Sequence, residues 1–439
     1  MIPSNDSSVN ELDSDSLAFA SSTAAGNPEA QASQPAMFDR ICQDLVLRAF
    51  SGMTRGSLAL RLPDGSVRQF GRSLGGPSAE MHLHRPRFFR RGVLQGDVGF
   101  GEAYQDGDWD TPDLPAVIGW FCANVEQAPC MSGSRNSDWR LGFLSLANRM
   151  RHVLNRNSLL GSRANIQAHY DLGNEFYRLW LDETLTYSSA LFESPEQDLP
   201  AAQAAKYERL CRQLRLRPSD SVLEIGSGWG GFASHAVRHH GCRVTTVTIS
   251  PAQARFAAER FVREGIADRA EVRLQDYREI SGRFDKICSI EMLEAVGDEF
   301  LSTYFSKVQS LLSPTGRFAA QFITCPDTRH AELRRGVDWI QKHIFPGSLL
   351  LSMNRVGAVV QRTGNLWLEN LHDLGPDYAR TLRMWRERFN ARREDVMAQG
   401  FDARFIRTWN YYLAYCEAAF AWRNISVVQA TWCRPGVEG

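Results

Sequence analysis

Lysine is scarce in this sequence, and features that mark several other classes of protein are missing. The 439 residues carry 50 basic and 50 acidic side chains, only four of the basic ones are lysines, and the net charge at neutral pH is zero. A balanced chain has no overall field to draw it to nucleic acid, and attraction to an anionic bilayer has to come from local patches. No apolar run approaches the roughly 18 residues that a transmembrane helix needs. We therefore expect neither a nucleic-acid partner nor a membrane span.

Cysteines at metal-binding or redox spacings are also missing. Nine cysteines are spread along the chain, and none forms a CxxC pair. An odd number of scattered cysteines fits a reducing compartment, so we expect a cytoplasmic protein. Because the cysteines lack metal-binding spacings, we expect no metal site. Residues 1–16 carry four acidic and no basic side chains, unlike a secretory signal. His82, His84 and the pair at 239–240 lack metal-like partners in the sequence, and we interpret them as surface residues.

The first third of the chain divides by composition. Residues 1–35 are rich in Ser, Ala, Asp, Asn and Gln, and we predict a disordered arm there. Residues 36–138 then begin with an amphipathic pattern, FDRICQDLVLRAF, which predicts a helix. The next stretch, SLALRLPDGSVRQFG, predicts a β-hairpin around a Pro-Asp-Gly turn. We expect a small α+β domain over these residues.

A basic segment follows at 139–164. It contains five arginines and no acidic residue, with apolar residues interleaved. Such a stretch can lie on an anionic membrane surface. It can equally be an interdomain helix and linker with a solvated face, and the pattern alone leaves both interpretations open.

From residue 200 onward, predicted strands and helices alternate. Apolar runs such as SVLEIG, CRVTTVTIS and FDKICSIEML are separated by helical patterns such as PAQARFAAERFVREG. This β-α rhythm predicts a doubly wound, mostly parallel sheet, and hence an α/β, Rossmann-like domain over 165–439.

A glycine-rich turn, SVLEIGSGWGG, closes the first strand of that sheet. It is neither a phosphate loop, because no GK[ST] follows, nor a GxGxxG fingerprint. Glu224 before the first glycine would repel a pyrophosphate and suits a cationic or hydroxyl-bearing ligand. The E-x-G-x-G-x-G pattern is similar to motif I of class I methyltransferases, which bind S-adenosylmethionine. The alternative is a structural glycine turn in another Rossmann-like domain.

Longer stretches narrow the resemblance. They read NIQAHYDLGNEFYRLWLDETLTYSSALFE (165–193), ICSIEMLEAVG (287–297) and VDWIQKHIFPG (337–347). Two more follow, GPDYARTLRMWRERF (375–389) and WNYYLAYCEAAFAWRNISVVQ (409–429). Together they closely resemble the cyclopropane-fatty-acyl-phospholipid and mycolic acid cyclopropane synthases. The resemblance implies an enzyme that transfers a methylene from S-adenosylmethionine to a cis double bond of unsaturated acyl chains in membrane phospholipids.

The resemblance also implies which residues bind S-adenosylmethionine. The family's acid at the end of the second strand is absent from VTTVTIS, and Thr248 and Gln253 occupy that region. The expected contacts are Tyr187, Ser188, Glu224, Gly226, Gly228, Thr248, Gln253, Asp276 and Tyr277. His169 in AHYD is interpreted as a structural residue that holds the preceding segment over the cofactor.

In this family a bound bicarbonate ion removes the proton from the carbocation. Its expected holders here are Ser189, Glu294, Gln321 and Tyr378. Ser189 departs from the family's cysteine, and although a hydroxyl still donates a hydrogen bond, a lost ion site would favour a methylene- or methyl-branched product. Glu291 lies three residues before Glu294, and on a helical turn the two would share a face, one toward the cofactor and the other toward the ion.

The chemistry needs walls that exclude water from a cation. Aromatic residues that could form them are Phe176, Tyr177, Trp180, Phe192, Trp339, Phe345 and Trp385. Each is individually more typical of ordinary core. The resemblance implies that the small domain over 36–138 associates with lipid or membrane and that the partner is the inner face of a phospholipid bilayer. A homodimer is left open. A non-catalytic lipid-binding relative is the alternative from another class, and replacement of Glu294 by Gln should leave such a protein unaffected while inactivating an enzyme.

Overall fold

The computed structural model describes residues 37–72, 75–127 and 172–436. The predictions for residues 1–35, for the basic segment 139–164 and for His169 lie outside the described residues. Among the described residues, no helix has the length and apolar character required to cross a bilayer.

The N-terminal part folds around a small sheet with the strand order β2-β1-β3-β4. β1 and β2 pair antiparallel around the Pro-Asp-Gly turn, so the predicted hairpin is confirmed. β3 adds parallel to β1 on the other side. The elements are α1 (Met37–Ser51), β1 (Ser57–Arg61), β2 (Val67–Gly71), β3 (Ser78–Leu83), α2 (Arg87–Gln105), β4 (Trp109–Asp110) and α3 (Leu114–Ala123).

The larger part is built on a seven-stranded sheet with the order β10-β11-β9-β8-β5-β6-β7. Its strands are β5 (Ser221–Ile225), β6 (Arg243–Thr248), β7 (Ala270–Leu274), β8 (Phe284–Ile290), β9 (Leu312–Thr324), β10 (Trp367–Asp373) and β11 (Ser426–Cys433). β5 to β9 run parallel, which confirms the Rossmann-like doubly wound fold. β11 runs antiparallel between β9 and β10, so the sheet is mixed at one edge.

Helices cover both faces and extend beyond the sheet. They are α4 (Asn174–Arg178), α5 (Leu199–Leu214), α6 (Gly231–His240), α7 (Pro251–Arg263), α8 (Leu301–Leu311), α9 (Asp327–Leu333), α10 (Trp339–His343), α11 (Met353–Thr363), α12 (Gly375–Ala391), α13 (Arg393–Ala398) and α14 (Ala403–Ala421). The chain order reverses between β5 and its two neighbours, β6 and β8. In an open α/β sheet this switch point is where ligands bind, beyond the carboxyl ends of the strands.

One apolar core joins the small sheet to the C-terminal helices. The Trp339 ring packs against Tyr411 of α14 at a centroid distance of 4.6 Å. Arg407 of α14 lies over the Tyr104 ring of α2, with 4.0 Å from the guanidinium carbon to the ring centroid, and donates to the Trp109 carbonyl. Five of the seven candidate wall aromatics are fully buried in this core: Phe176, Tyr177, Trp180, Trp339 and Trp385. For these five, the core interpretation is confirmed.

Candidate active site

A cavity of about 410 Å³ opens beyond the carboxyl ends of β5, β6 and β8. Its polar end is lined by Glu224, Gly228 and Asp276, and its apolar end reaches residues of α2 and α3 in the N-terminal part. The switch point of the sheet and the side chains supplied by α2 and α3 therefore line the same cavity.

The glycine turn forms the floor of the polar end. The backbone N–H groups of Gly226 and Ser227 both donate to the Val247 carbonyl at 3.0 Å, which ties the turn to β6. Gly228 has a φ of +47°, and a β-carbon built on it would meet no atom within 4 Å. No side chain therefore separates the Gly228 backbone from the cavity, which allows a ligand to approach it closely. Gly230, with φ +84°, instead packs closely on Phe261 below the turn.

Glu224 is the acid at this end. Its side chain is buried, and one carboxyl oxygen, Oε2, has no hydrogen-bond partner. Burial raises the pKa of Glu224 to about 8, against an opposing effect of the nearby Lys206 ammonium. A buried carboxyl oxygen without a donor is costly unless a ligand supplies one. Hydroxyl or ammonium groups of S-adenosylmethionine fit this requirement.

The remaining expected cofactor contacts also lie on the cavity wall. They are Tyr187, Ser188, Thr248, Gln253, Asp276 and Tyr277. The Thr248 hydroxyl donates to Gln253 Oε1 at 2.9 Å, so these two residues form one polar unit at the end of β6. The Asp276 carboxylate is occupied by Arg278 at 2.7 Å. Their roles toward the cofactor remain predictions.

Lys206 on α5 was missed by sequence reasoning. It is fully buried, and its ammonium donates to the Ser188 hydroxyl at 2.7 Å. Burial lowers the pKa of Lys206 to about 7, while the charges of Glu291 and Glu224 oppose that shift. The sequence did contain a signal for this residue. Lysine is scarce in the chain, with four in all, and Lys206 interrupts the alanine-rich run AAQAAKYERL.

Ser189 does not face the cavity as expected for an ion ligand. Its side chain is fully buried, and its hydroxyl donates to the neighbouring Ala190 carbonyl at 2.9 Å. What it directs toward the site is its backbone N–H, which donates to Glu291 Oε1 at 2.8 Å.

Gln321 and Tyr378 converge on the same carboxylate. Gln321 Nε2 donates to Glu291 Oε1 at 2.8 Å, and the Tyr378 hydroxyl donates to Glu291 Oε2 at 2.7 Å. Glu291 therefore accepts hydrogen bonds from three of the four residues that the resemblance assigns to bicarbonate. The donors of these three residues are directed to a side chain of the chain itself, and their assignment to bicarbonate remains a prediction.

Glu294 lies in a different backbone environment from Glu291. It lies in a short 3₁₀ turn, Leu293–Ala295, whereas Glu291 precedes the turn with a φ of +48°, so the two do not share a helical face. One Glu294 oxygen accepts from the Ile323 N–H, and Oε2 has no partner. Burial and the negative charge of Glu291 raise the pKa of Glu294 to about 8. Both carboxyl groups line the cavity.

The apolar end is built jointly by the two parts of the chain. Its lining includes Phe100 from α2, Ile118 and Phe121 from α3, and Tyr411 and Cys416 from α14. Phe345 joins this wall, while Phe192 packs against the core from a partly exposed position. This end offers an elongated apolar ligand a water-poor environment.

Asp97 is an unexpected acid in that apolar wall. Its Oδ2 atom has no hydrogen-bond partner, and burial, aided by the charge of Asp338, raises the pKa of Asp97 to about 7. Because the native pKa lies above the unfolded value, stability from this group is complete below the unfolded pKa and is lost as the pH rises through about 7. Asp97 therefore destabilises the native protein under mildly alkaline conditions.

We expect Asp97→Asn to raise the free energy of unfolding by about 2 kcal/mol more at pH 8 than at pH 5. Urea denaturation at the two pH values measures this difference. Asp268→Asn, at a side chain that is 76% exposed, is the control and should change neither value. An equal gain at both pH values would show that packing, not ionisation, governs the effect.

One histidine was interpreted wrongly. His240 and His235 both contact the Glu208 carboxylate, at 3.0 and 3.2 Å, and their ring nitrogens lie within 4.8 Å of the Cys211 sulfur. The expectation that the pair at 239–240 lacks metal-like partners is therefore corrected for His240. The cluster lies between α5 and α6, away from the cavity, and the absence of a metal site remains a prediction.

Comparison with known proteins shows which families and structures this chain is similar to. A sequence family described as mycolic acid cyclopropane synthetase matches residues 158–430. A tuberculostearic acid methyltransferase of Mycobacterium tuberculosis is 36% identical over 81% of this chain and 83% of its own length. The cyclopropane-fatty-acyl-phospholipid synthase of Escherichia coli K12 is 34% identical over 83% of this chain and 90% of its own. A solved mycolic acid cyclopropane synthase, complexed with SAH and CTAB, has a TM-score of 0.58 at 29% identity and covers 62% of this chain and 98% of that one.

Proposed function

Because the chain belongs to the cyclopropane synthase family of S-adenosylmethionine-dependent lipid methyltransferases, we propose that it adds one carbon across the cis double bond of an unsaturated acyl chain in membrane phospholipid. The expected product is a cyclopropane fatty acid. The observation that carries the proposal is the continuity of the cavity, in which Glu224 and Gly228 lie at one end and apolar side chains of the small domain at the other.

The residues at each end suit the two reactants. S-adenosylmethionine, when bound, supplies an electrophilic sulfonium methyl group. Glu224 and the bare backbone of Gly228 hold that end, and the apolar wall from Phe100 to Phe345 holds the acyl chain and excludes water. Exclusion of water is required because a carbocation formed at the double bond would otherwise be quenched. Tyr187 and Phe345, whose ring centroids lie 6.5 Å apart, both line the cavity, and aromatic rings can stabilise a nearby cation.

The residues expected to hold bicarbonate do not fit that ion. The Ser189 N–H, the Gln321 amide and the Tyr378 hydroxyl already donate to Glu291, and the Glu291 carboxylate would repel an added anion. We therefore derive no step through bicarbonate. A second candidate product is a methyl- or methylene-branched chain, because one relative is named a tuberculostearic acid methyltransferase. A methylene branch contains the same atoms as a cyclopropane ring. A saturated methyl branch would require a hydride donor in addition.

Access to phospholipid requires contact with a bilayer, which we propose occurs at the cytoplasmic face. The first turns of α1 support this, because four apolar side chains project from the small domain. Met37 is 81% exposed, and Phe38, Ile41 and Leu45 are about half exposed. Arg40 and Arg48 on this helix are balanced by Asp39 and Asp44, so the proposed lipid contact depends on the apolar side chains.

Mass spectrometry and gas chromatography of fatty acids from cells that express the chain, compared with an empty vector, test the function. We expect monounsaturated chains to gain the mass of one CH2 group. A saturated cyclic adduct identifies the cyclopropane product, and an adduct that retains a double bond identifies the methylene branch. No new fatty acid, from a protein that binds S-adenosylmethionine and a host rich in unsaturated lipid, would contradict the proposal.

A further inference from the structure

Glu291 has surroundings unlike those of an ordinary buried acid. Its two carboxylate oxygens accept three hydrogen bonds, from Ser189 N at 2.8 Å, Gln321 Nε2 at 2.8 Å and the Tyr378 hydroxyl at 2.7 Å. A second layer holds these donors, since Gln429 Nε2 donates to Gln321 Oε1 at 3.0 Å. The result is a built anion site whose anion is a side chain.

The backbone at Glu291 supplies a second, independent observation. Its φ of +48° lies in the left-handed region, which a residue other than glycine adopts at a cost of about 1 kcal/mol or more. The Glu291 N–H donates to the Gln321 carbonyl at 2.7 Å, which holds the strained turn against β9. Strain of this kind persists where the surrounding contacts require it, and here it aims a carboxylate into the cavity.

We infer that the Glu291 carboxylate stands in place of the bicarbonate ion and is the base of the one-carbon transfer. This inference rests on the proposed function. A carboxylate and a bicarbonate both present two oxygens of a planar, negatively charged CO2 group, so the same three donors serve either. A base that is part of the chain needs no ion from solution.

The step is balanced without another reactant. The π electrons of the acyl double bond form a bond to the sulfonium methyl carbon, and the electron pair of the breaking C–S bond passes to sulfur, which leaves as a neutral thioether. The acyl chain now carries a cation beside the new methyl group. A Glu291 oxygen accepts a proton, and the electrons of the broken C–H bond close the ring. If a hydride first shifts from the methyl-bearing carbon to the cation, the same proton loss gives the methylene branch instead.

The charges around Glu291 suit a base. Burial raises the pKa of Glu291, which makes its carboxylate a stronger proton acceptor, while the three donors and the Lys206 charge favour the ionised form. The pKa of Glu294 is raised to about 8, so this neighbour is mostly protonated at neutral pH. The two carboxyl groups then share one negative charge, as paired catalytic acids do.

The test compares the turnover of wild type, Glu291→Gln and Glu291→Gly in two buffers. One buffer is freed of carbon dioxide, and the other is the same buffer with millimolar bicarbonate added. Unsaturated phospholipid vesicles and S-adenosylmethionine are the substrates. Wild-type turnover should agree within about twofold in the two buffers. Glu291→Gln should lose about 100-fold or more in both, as expected for removal of a general base. Glu291→Gly, which vacates the donors, should be equally slow without bicarbonate and recover about 10-fold or more with it.

Binding of ¹³C-labelled bicarbonate, followed by NMR, gives a readout that does not depend on turnover. The Glu291→Gly protein should bind the labelled ion, and the wild type should not. Tyr378→Phe, which removes one donor, should lower kcat and shift the acidic limb of the pH profile, with KM for lipid unchanged. Glu259→Gln, at an exposed position on α7, is the matched control for loss of a carboxylate.

The two proposals fail in different ways. Wild-type turnover that requires bicarbonate, or a Glu291→Gln protein within about threefold of wild type, would overturn the role of Glu291 and leave the proposed function intact. A wild-type protein that binds S-adenosylmethionine and forms no lipid adduct in either buffer would overturn the proposed function, and the role of Glu291 with it.

Discussion

Replacement of Glu224 by alanine is expected to weaken S-adenosylmethionine binding by about 100-fold, with the fold intact. The carboxyl group is buried and its Oε2 atom has no partner in the protein, so its hydrogen bonds are left for a ligand. A hydrogen bond to a charged group contributes about 1.5–3 kcal/mol, which corresponds to roughly 10- to 150-fold in affinity. Isothermal titration with S-adenosylmethionine or its demethylated product measures the change.

Two further variants make this result specific. Glu224→Gln keeps the shape and can still accept from a hydroxyl, so we expect an intermediate loss of about 10-fold. Glu259→Gln should bind as wild type does. Because Glu224 is buried at a cost, the melting temperature of the Glu224→Ala protein should stay level or rise. Wild-type affinity in that protein would show that the polar end of the cavity does not hold the cofactor.

Replacement of Phe176 by alanine is expected to be the most destabilising of the changes considered, at about 3–5 kcal/mol. Phe176 is fully buried, and its ring meets Trp409 of α14 at 5.0 Å and Phe389 of α12 at 6.3 Å between centroids. Truncation would leave a cavity where α4 joins the C-terminal helices. Chemical denaturation followed by far-ultraviolet circular dichroism gives the free energy of unfolding.

Phe345→Ala is the comparison variant that distinguishes a residue of the core from a residue that lines the substrate cavity. Phe345 is only partly buried and lines the cavity. Its truncation should cost roughly half as much stability as that of Phe176 and should lower kcat/KM for lipid about 10-fold or more. If Phe176→Ala instead left stability unchanged and impaired only turnover, Phe176 would be a substrate contact and its assignment to the core would be wrong.

Much of the fold and of the polar end could be predicted because the relevant signals are local. The strand SVLEI, the acid Glu224 and the glycines after it lie within eleven consecutive residues, and their geometry follows from strand, turn and helix rules. The hairpin around Pro63 is equally local. The antiparallel strand β11 was not predicted, since its sequence SVVQATWC interrupts the apolar residues with Ser, Gln and Thr and does not reveal which way the strand pairs.

The surroundings of Glu291 could not be predicted for the opposite reason. Its three donors lie 102, 30 and 87 residues away in sequence, so only the folded sheet brings them together. The sequence interpretation placed Glu291 on a helical turn, and a φ of +48° at a glutamate contradicts every local preference of that residue. Local rules tend to fail at functional sites, where the rest of the fold imposes a conformation.

The left-handed backbone conformation of Glu291 creates a trade-off between stability and activity at this one residue. Glycine there would relieve the strain and remove a buried charge, so a thermostability screen without an assay for turnover would favour Glu291→Gly. The same change would discard the base. An engineer who wants a more robust catalyst should hold this position fixed and seek stability elsewhere, for example at Asp97.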